Sequence, residues 1–293
     1  MEKEITAFMT YLHNVKNTSE NTEMSYRRDL GKVQQFMGAR GITQVQEVSS
    51  EDLSDYVKYL EDHKFAAATV SRNIASIKAF YHFMMQESMV QEDLSEQLKA
   101  PKIEKKAPEI MSPEEVVRLL EQPSGETHKE IRDKAMLELL YATGMRVSEL
   151  VHLSVNDLNL RYGWIICRDG ERERMVPFGS SAGLALLQYM EKSREHFLKQ
   201  KSTDALFLNC AGAPMSRQGF WKILKSYAKK AGIEKDITPR MLRHSCAAHM
   251  ASNGAGLHTI REILGHADLA ATQVYAEFQP ENKTEYSRVH PRG

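Results

Sequence analysis

The stretch Leu242-Arg243-His244-Ser245 is followed by Leu264-Gly265-His266 and then by Thr272-Gln273-Val274-Tyr275. Far upstream, Arg146 stands in Thr143-Gly144-Met145-Arg146-Val147-Ser148-Glu149-Leu150. Cations and imidazoles thus precede a lone tyrosine, a set suited to attack on a phosphodiester. A phenol oxygen displaces a sugar oxygen from phosphorus only when the charge on the non-bridging oxygens is neutralised, and planar bidentate guanidinium groups do that best. Gly144 is placed to end one helix and Ser148 lies near the start of the next. Arg146 at that junction has backbone N–H groups beside it, a good phosphate setting. Taken singly, each residue has an ordinary reading: a surface arginine, a helix-start arginine in an ion pair, a capping histidine, a core tyrosine.

Outward from this stretch, periodicity predicts a mainly helical chain. Ile5, Phe8, Met9 and Leu12 recur at helical spacing, and Tyr26, Leu30, Val33 and Phe36 repeat the pattern after Asn17-Thr18-Ser19. A third helix is predicted near Ser49, with Asp52 completing a capping box, and a fourth from about Thr69 through Ile74, Ile77, Phe80 and Phe83. The two prolines and the lysines of Lys99-Ala100-Pro101-Lys102-Ile103-Glu104-Lys105-Lys106-Ala107-Pro108 predict a linker. Ser112-Pro113-Glu114-Glu115 then opens a helix, with an N-cap, a proline at its first position and a capping glutamate. Further on, Trp164-Ile165-Ile166-Cys167 and Met175-Val176-Pro177 flank Asp169-Gly170 and predict a β-hairpin. Ala205-Leu206-Phe207-Leu208 is the expected third strand, and the chain after Arg217 reads as helical, with breaks at Gly232, Pro239, Gly254 and Gly265. The expected organisation is a helical domain over residues 1–100, a linker over 101–110, and a mixed domain over 111–293.

The order of these blocks resembles the tyrosine recombinase (phage integrase) family, and the match reaches the bacterial Xer recombinases along nearly the whole chain. The resemblance implies a SAM-like helical core-binding domain followed by a mixed α/β catalytic domain with a small antiparallel sheet. It implies that Arg146 and Arg243 are the two catalytic arginines, with Glu149 a supporting acid. His266 would donate to a non-bridging oxygen, and Tyr275 would form a 3′-phosphotyrosyl bond that stores the energy for rejoining without metal or cofactor. Tyr286 lacks the Thr-x-x-Tyr context, and His244 is expected to pack or hydrogen-bond structurally beside Arg243 with no direct role. At two positions the chain departs from the family pattern. Arg240 stands where a histidine is usual, and Arg172, in Glu171-Arg172-Glu173-Arg174, where a lysine general acid is usual. Arginine holds its proton throughout the physiological range, and losing general acid–base catalysis costs about 10²–10⁴-fold. Two readings therefore stand: a cutting recombinase, or a DNA-binding accessory protein of the same fold with weak or absent cleavage. A relaxing topoisomerase with the same chemistry finds no support, because Glu285-Tyr286-Ser287-Arg288-Val289-His290-Pro291-Arg292 resembles a tail that packs into a neighbouring protomer.

The chain of 293 residues exceeds a single domain of roughly 100 to 200 residues, so two domains fit its length. Lys+Arg and Asp+Glu are 39 each. Affinity for DNA must then come from cations gathered on one surface rather than from net charge. Arg217, Lys222, Lys225, Lys229 and Lys230, interleaved with Phe220, Trp221 and Tyr227, form one such stretch. Arg72, Lys78 and the linker lysines form another. The family likeness implies duplex DNA with inverted half-sites as partner, bound by a dimer on each site and a tetramer in synapse, as a homo-oligomer or with a related recombinase. The cysteines, Cys167, Cys210 and Cys246, show no paired metal spacing. A cytoplasmic protein is expected, since the N-terminal segment lacks an apolar signal core and no apolar run is long enough to span a bilayer.

Overall fold

Ser49 accepts a hydrogen bond from the Asp52 N–H while the Asp52 carboxylate accepts one from the Ser49 N–H, so the predicted capping box starts its helix as the sequence requires. The computed structural model describes residues 1–102, 107–170, 172–199 and 202–279. The Xer-like tail, Tyr286, and linker residues 103–106 lie outside them. The chain divides into two units, Met1–Lys106 and Ala107–Gly293.

The first unit holds α1 (Glu2–Asn14), α2 (Glu20–Ala39), α3 (Ser50–Asp62) and α4 (Ala67–Gln86). Each turns an apolar stripe inward: Ile5, Phe8, Met9 and Leu12 from α1, Leu30, Val33 and Met37 from α2, Leu53, Tyr56 and Leu60 from α3, and Ile74, Ile77, Phe80 and Phe83 from α4. Phe8 meets Phe80 edge-on at 5.6 Å, so the aromatic residues of α1 and α4 lock that pair.

In the second unit, Ser112 and Thr127 cap α5 (Pro113–Glu121) and α6 (His128–Thr143), each with a glutamate three residues on. Helix α6 is buried on most of its circumference, through Ala135, Met136, Leu137, Leu139 and Leu140, and so forms the centre of the unit. After α7 (Val147–His152) comes a three-stranded antiparallel sheet of β1 (Leu158–Asn159), β2 (Trp164–Asp169) and β3 (Arg172–Pro177). The hairpin is the predicted one. Asp169 faces Arg172 in register, and Gly170 takes φ +62°, in the left-handed region.

The expected strand at residues 205–208 does not form. Its place in the sheet is taken by Leu158–Asn159, and the apolar run makes only isolated bridges, Ser154 with Ala205 and Leu208 with Pro214. Its backbone is satisfied by scattered partners instead: Arg194 donates to the Ala205 carbonyl, Tyr189 Oη donates to the Leu206 carbonyl and accepts from the Leu208 N–H, the Leu206 N–H donates to the Leu153 carbonyl and the Met215 N–H to the Phe207 carbonyl. Helices α8 (Ser180–Lys192), α9 (Arg194–Leu198), α10 (Arg217–Lys230), α11 (Pro239–Ser252) and α12 (Leu257–Leu264) complete the unit, with a 3₁₀ turn at Gln273–Phe278. Helix α11 packs on α6, α12 and that turn, which brings Arg243, the end of α12 and Tyr275 together.

Candidate active site

Two helices end in glycines of left-handed conformation. Gly144 (φ +58°) closes α6 and Gly265 (φ +67°) closes α12. A helix end leaves carbonyls without partners and carries the negative pole of the helix dipole. Three guanidinium groups collect on these carbonyls. Arg243 donates from Nη1 to the Gly144 carbonyl (2.6 Å) and from Nη2 to the Leu264 carbonyl (2.8 Å). Arg174 donates from Nε to the Ile263 carbonyl (2.9 Å), and Arg146 reaches the Gly265 carbonyl (3.4 Å). Side chains are excluded at both glycines by φ and by space. A Cβ on Gly144 would lie 2.7 Å from Leu264 Cδ2, and one on Gly265 would lie 2.8 Å from Arg174 Nη1.

Glu149 holds this group from below. It is buried, its carboxylate takes both Arg174 Nη atoms, and it accepts the Arg146 backbone N–H at 2.6 Å. Burial works to raise its pKa, but the hydrogen bonds from Arg174 and the Arg146 N–H outweigh it and hold Glu149 below the usual carboxylate range. Arg243, 8% exposed, is pulled down to about 10 by burial and then by the nearby Arg146 charge. It stays charged at neutral pH. The Arg146 side chain is the accessible one, 36% exposed, and Asp169 of the hairpin meets its Nη1 at 2.7 Å. Three guanidiniums thus face two carboxylates, Glu149 buried and Asp169 exposed.

Tyr275 lies on the small-residue face of α11, among Ala247, Ala248, Ala251, Ile260 and Leu264. Burial raises its pKa. Its hydroxyl meets His244 Nδ1 at 2.5 Å, and His244 Nε2 accepts from Arg240 Nε at 3.1 Å. His244 is thus hydrogen-bonded, as one of the two expected readings had it, but to Tyr275 and Arg240 rather than beside Arg243. Position 244 is one helical turn beyond 240, so both project to the same side of α11. His266 Nδ1 pairs with Thr272 Oγ1 at 2.8 Å, tying the end of α12 to the segment that carries Tyr275. Burial, then the arginine charges, push both imidazoles down to about 4, so both are neutral at pH 7.

Arg146, Arg243, Glu149, His266 and Tyr275 are thus brought into one neighbourhood, with Arg240 joined to it through His244. Arg172 is exposed at the hairpin end, and its side chain makes no hydrogen bond or ion pair with the described residues. The sequence alone assigns no part in the site to Arg174, His244 or Asp169. The one signal for Arg174 was its position in a hairpin strand beside a glycine-terminated helix, which the sequence does not reveal as a contact.

The outlying cations are partly neutralised. Arg72 forms a two-pronged ion pair with buried Asp29 (2.8 Å for each bond), and Lys78 reaches the Glu96 carbonyl at 3.4 Å. Lys225 pairs with Asp236 (2.8 Å) and lies over Trp221, 4.3 Å from its ring centre. Arg217 opens α10, and both it and Lys222 are exposed. Among the described residues no cluster of three or more His, Cys, Asp or Glu is arranged for a metal, and no helix is long and apolar enough to cross a membrane.

Known proteins share this arrangement of sequence and fold. Residues 109–282 match the Phage integrase family, and residues 5–88 match the Phage integrase, N-terminal SAM-like domain. Tyrosine recombinase XerD of Oceanobacillus iheyensis is 43% identical over 296 residues, covering 100% of this chain and 99% of its own length. Tyrosine recombinase XerC of a Roseiflexus species is 39% identical over 297 residues, covering 100% and 94%. Among solved structures, XerH site-specific recombinase bound to its difH substrate in a pre-cleavage complex superposes with a TM-score of 0.71 at 20% identity, covering 92% of this chain and 81% of that one. A lambda integrase dimer bound to a COC′ core site gives 0.74 at 12% identity, covering 94% of each chain. At those identities the two superpositions speak for the fold alone.

Proposed function

This chain belongs to the phage integrase family, and on that premise we propose how it acts as a site-specific DNA recombinase of the Xer type. The observation that carries the assignment of roles is the gathering of Arg146 and Arg243 at two helix ends, with the Tyr275 hydroxyl held on the neighbouring face of α11. Arg146 and Arg243 clamp the non-bridging oxygens of the scissile phosphate, and His266 adds a neutral donor. The Tyr275 oxygen forms a bond to phosphorus as the bond to the 5′ oxygen breaks. The phenol gives up one proton and the departing 5′ oxygen takes one up, leaving a 3′-phosphotyrosyl link and a 5′-hydroxyl. Attack by a 5′-hydroxyl from the partner duplex reverses these bonds, and two rounds pass through a Holliday junction. No cofactor is required by this balance. Arg172, beside Asp169 on the hairpin, serves as a mobile cation near the leaving group rather than as its acid.

Two protomers bind inverted half-sites of duplex DNA and four form the synapse, as copies of this chain or with a related recombinase, in the cytoplasm. Arg217 and Lys222 contact backbone phosphates, with Lys225 released from Asp236, and Arg72 and Lys78 do so from the first unit. Affinity for a site selected from genomic fragments should then fall linearly in log–log against salt as counterions are released. A salt-independent affinity would remove these cations from the interface. The central test uses that selected site with a nick beside the cleavage point. A covalent protein–DNA adduct and resolution of a synthetic junction are the expected results, and their absence on a tightly bound site would overturn the reading.

Asp169 competes with phosphate for Arg146. Asp169→Asn should tighten duplex binding by about 1.4- to 5-fold, the scale set by an exposed ion pair worth ~0.2–1 kcal/mol. Titration by fluorescence anisotropy at fixed salt measures it, and equal or weaker binding by the variant would show that Asp169 does not occupy the phosphate position.

A further inference from the structure

Arginine has no acceptor, so the contact between Arg240 Nε and His244 Nε2, at 3.1 Å, has one reading: the arginine donates and Nε2 carries no proton. A neutral imidazole bears its single proton on the other nitrogen. Nδ1 is therefore N–H, and at 2.5 Å from the Tyr275 hydroxyl it donates to the phenol oxygen. We propose that His244 is a catalytic residue of this chain that holds the nucleophilic oxygen by a donated hydrogen bond, and that Arg240 is a positioning residue that fixes the tautomer allowing it to do so. This rests on the assignment of Tyr275 as nucleophile and goes beyond it. It also explains how Arg240 fits a position where the family usually has a histidine: the imidazole that meets the tyrosine comes from the next turn of the same helix.

The consequence is chemical. A donor aimed at the phenol oxygen stabilises the negative charge that develops there as the proton leaves, and fixes one lone pair so that the other points along a defined direction. His244 in this tautomer is a donor and not a base. The charged groups facing it are Arg240 and Arg243, which favour the neutral imidazole, and the neutral phenol of Tyr275 is its other partner. The ring of Tyr275 is buried among apolar side chains, so the hydroxyl is the one polar handle by which the ring is aligned.

The test has a kinetic and a spectroscopic arm, both on the full chain. His244→Leu should form the covalent adduct on a nicked duplex about 10²-fold more slowly, the usual cost of one donor to a developing anion, with duplex affinity unchanged. His244→Asn, whose amide nitrogen falls near the place of Nδ1, should recover most of that rate. Arg240→Met should slow the adduct while Arg240→Lys, which keeps a donor, should not. A His244→Leu protein that cleaves as fast as the parent or faster would overturn the proposal, because the bond would then be a restraint on the resting tyrosine. Failure of the parent to form any adduct would count against the nucleophile assignment instead. In that event the second arm still decides. Nitrogen-15 shifts of His244, assigned by loss in His244→Asn, should report the Nδ1–H tautomer in the parent and a shift toward Nε2–H in Arg240→Met. An Nε2–H tautomer in the parent would overturn the proposal whatever the protein does to DNA.

Discussion

Tyr275→Phe is expected to abolish the covalent adduct to the limit of detection while leaving duplex affinity and folding close to the parent's. The substitution removes one oxygen, and the remaining ring keeps its contacts with Ala247, Ala248, Ala251, Ile260 and Leu264. The loss to stability is the hydrogen bond with His244, on the order of 1 kcal/mol. The loss to chemistry is total, because the oxygen that would bond to phosphorus is gone and no donor or charge elsewhere replaces it. Affinity is unaffected because the phosphate clamp belongs to Arg146 and Arg243, on other segments. Denaturing gel shifts on a nicked site measure the adduct, and anisotropy on the intact site measures binding. An adduct that persists in Tyr275→Phe but disappears in Tyr286→Phe would move the nucleophile to the other tyrosine.

Local signals in this sequence were sound, and long-range ones were mostly silent. The caps at Ser49 and Ser112 and the hairpin turn at Asp169-Gly170 depend on residues one to three apart, so the chain itself declares them. The apolar run at residues 205–208 was misread because burial alone does not distinguish a strand from an irregular segment. What decided it was whether a neighbouring strand or scattered loop backbone and the side chains of Tyr189 and Arg194 would satisfy its backbone. In the site, Arg146 was legible because it follows a helix-ending glycine at the start of the next helix, and Arg243 because it closes the short block Arg240-Met241-Leu242-Arg243 near the start of α11. Arg174 was not, since its partner Glu149 lies 25 residues away and the glycine that makes room for it, Gly265, belongs to a third segment. His244 was half legible. Its spacing from Arg240 is visible on a helix, but its contact with Tyr275, 31 residues on, exists only once the 3₁₀ turn folds back onto α11. Arg72 looked like a free cation until the fold placed buried Asp29 against it.

Arg146→Ala and Arg243→Ala are expected to fail for different reasons, and the contrast tests the site more sharply than either alone. Both arginines neutralise charge on the transferring phosphate, so each variant should lose at least about 10²–10³-fold in adduct formation, the usual cost of one such donor. Arg146 is 36% exposed and pairs with an exposed Asp169, so its removal should change stability by less than about 1 kcal/mol. Arg243 is 8% exposed, and its two Nη atoms satisfy the terminal carbonyls of α6 and α12. Truncation leaves both carbonyls buried without partners and opens a space between three helices, a cost on the order of 3 kcal/mol. The thermal transition of the second unit should drop by roughly 6–12 °C in Arg243→Ala, at about 2–4 °C per kcal/mol, and hardly move in Arg146→Ala. A neutral methylphosphonate at the scissile position removes the charge that Arg146 balances, so it should restore much of the rate to Arg146→Ala. It should restore less to Arg243→Ala, whose helix ends have also come apart. An Arg146→Ala protein that cuts at the parent rate, or an Arg243→Ala protein that melts with the parent, would separate the clamp from the helix ends that hold it.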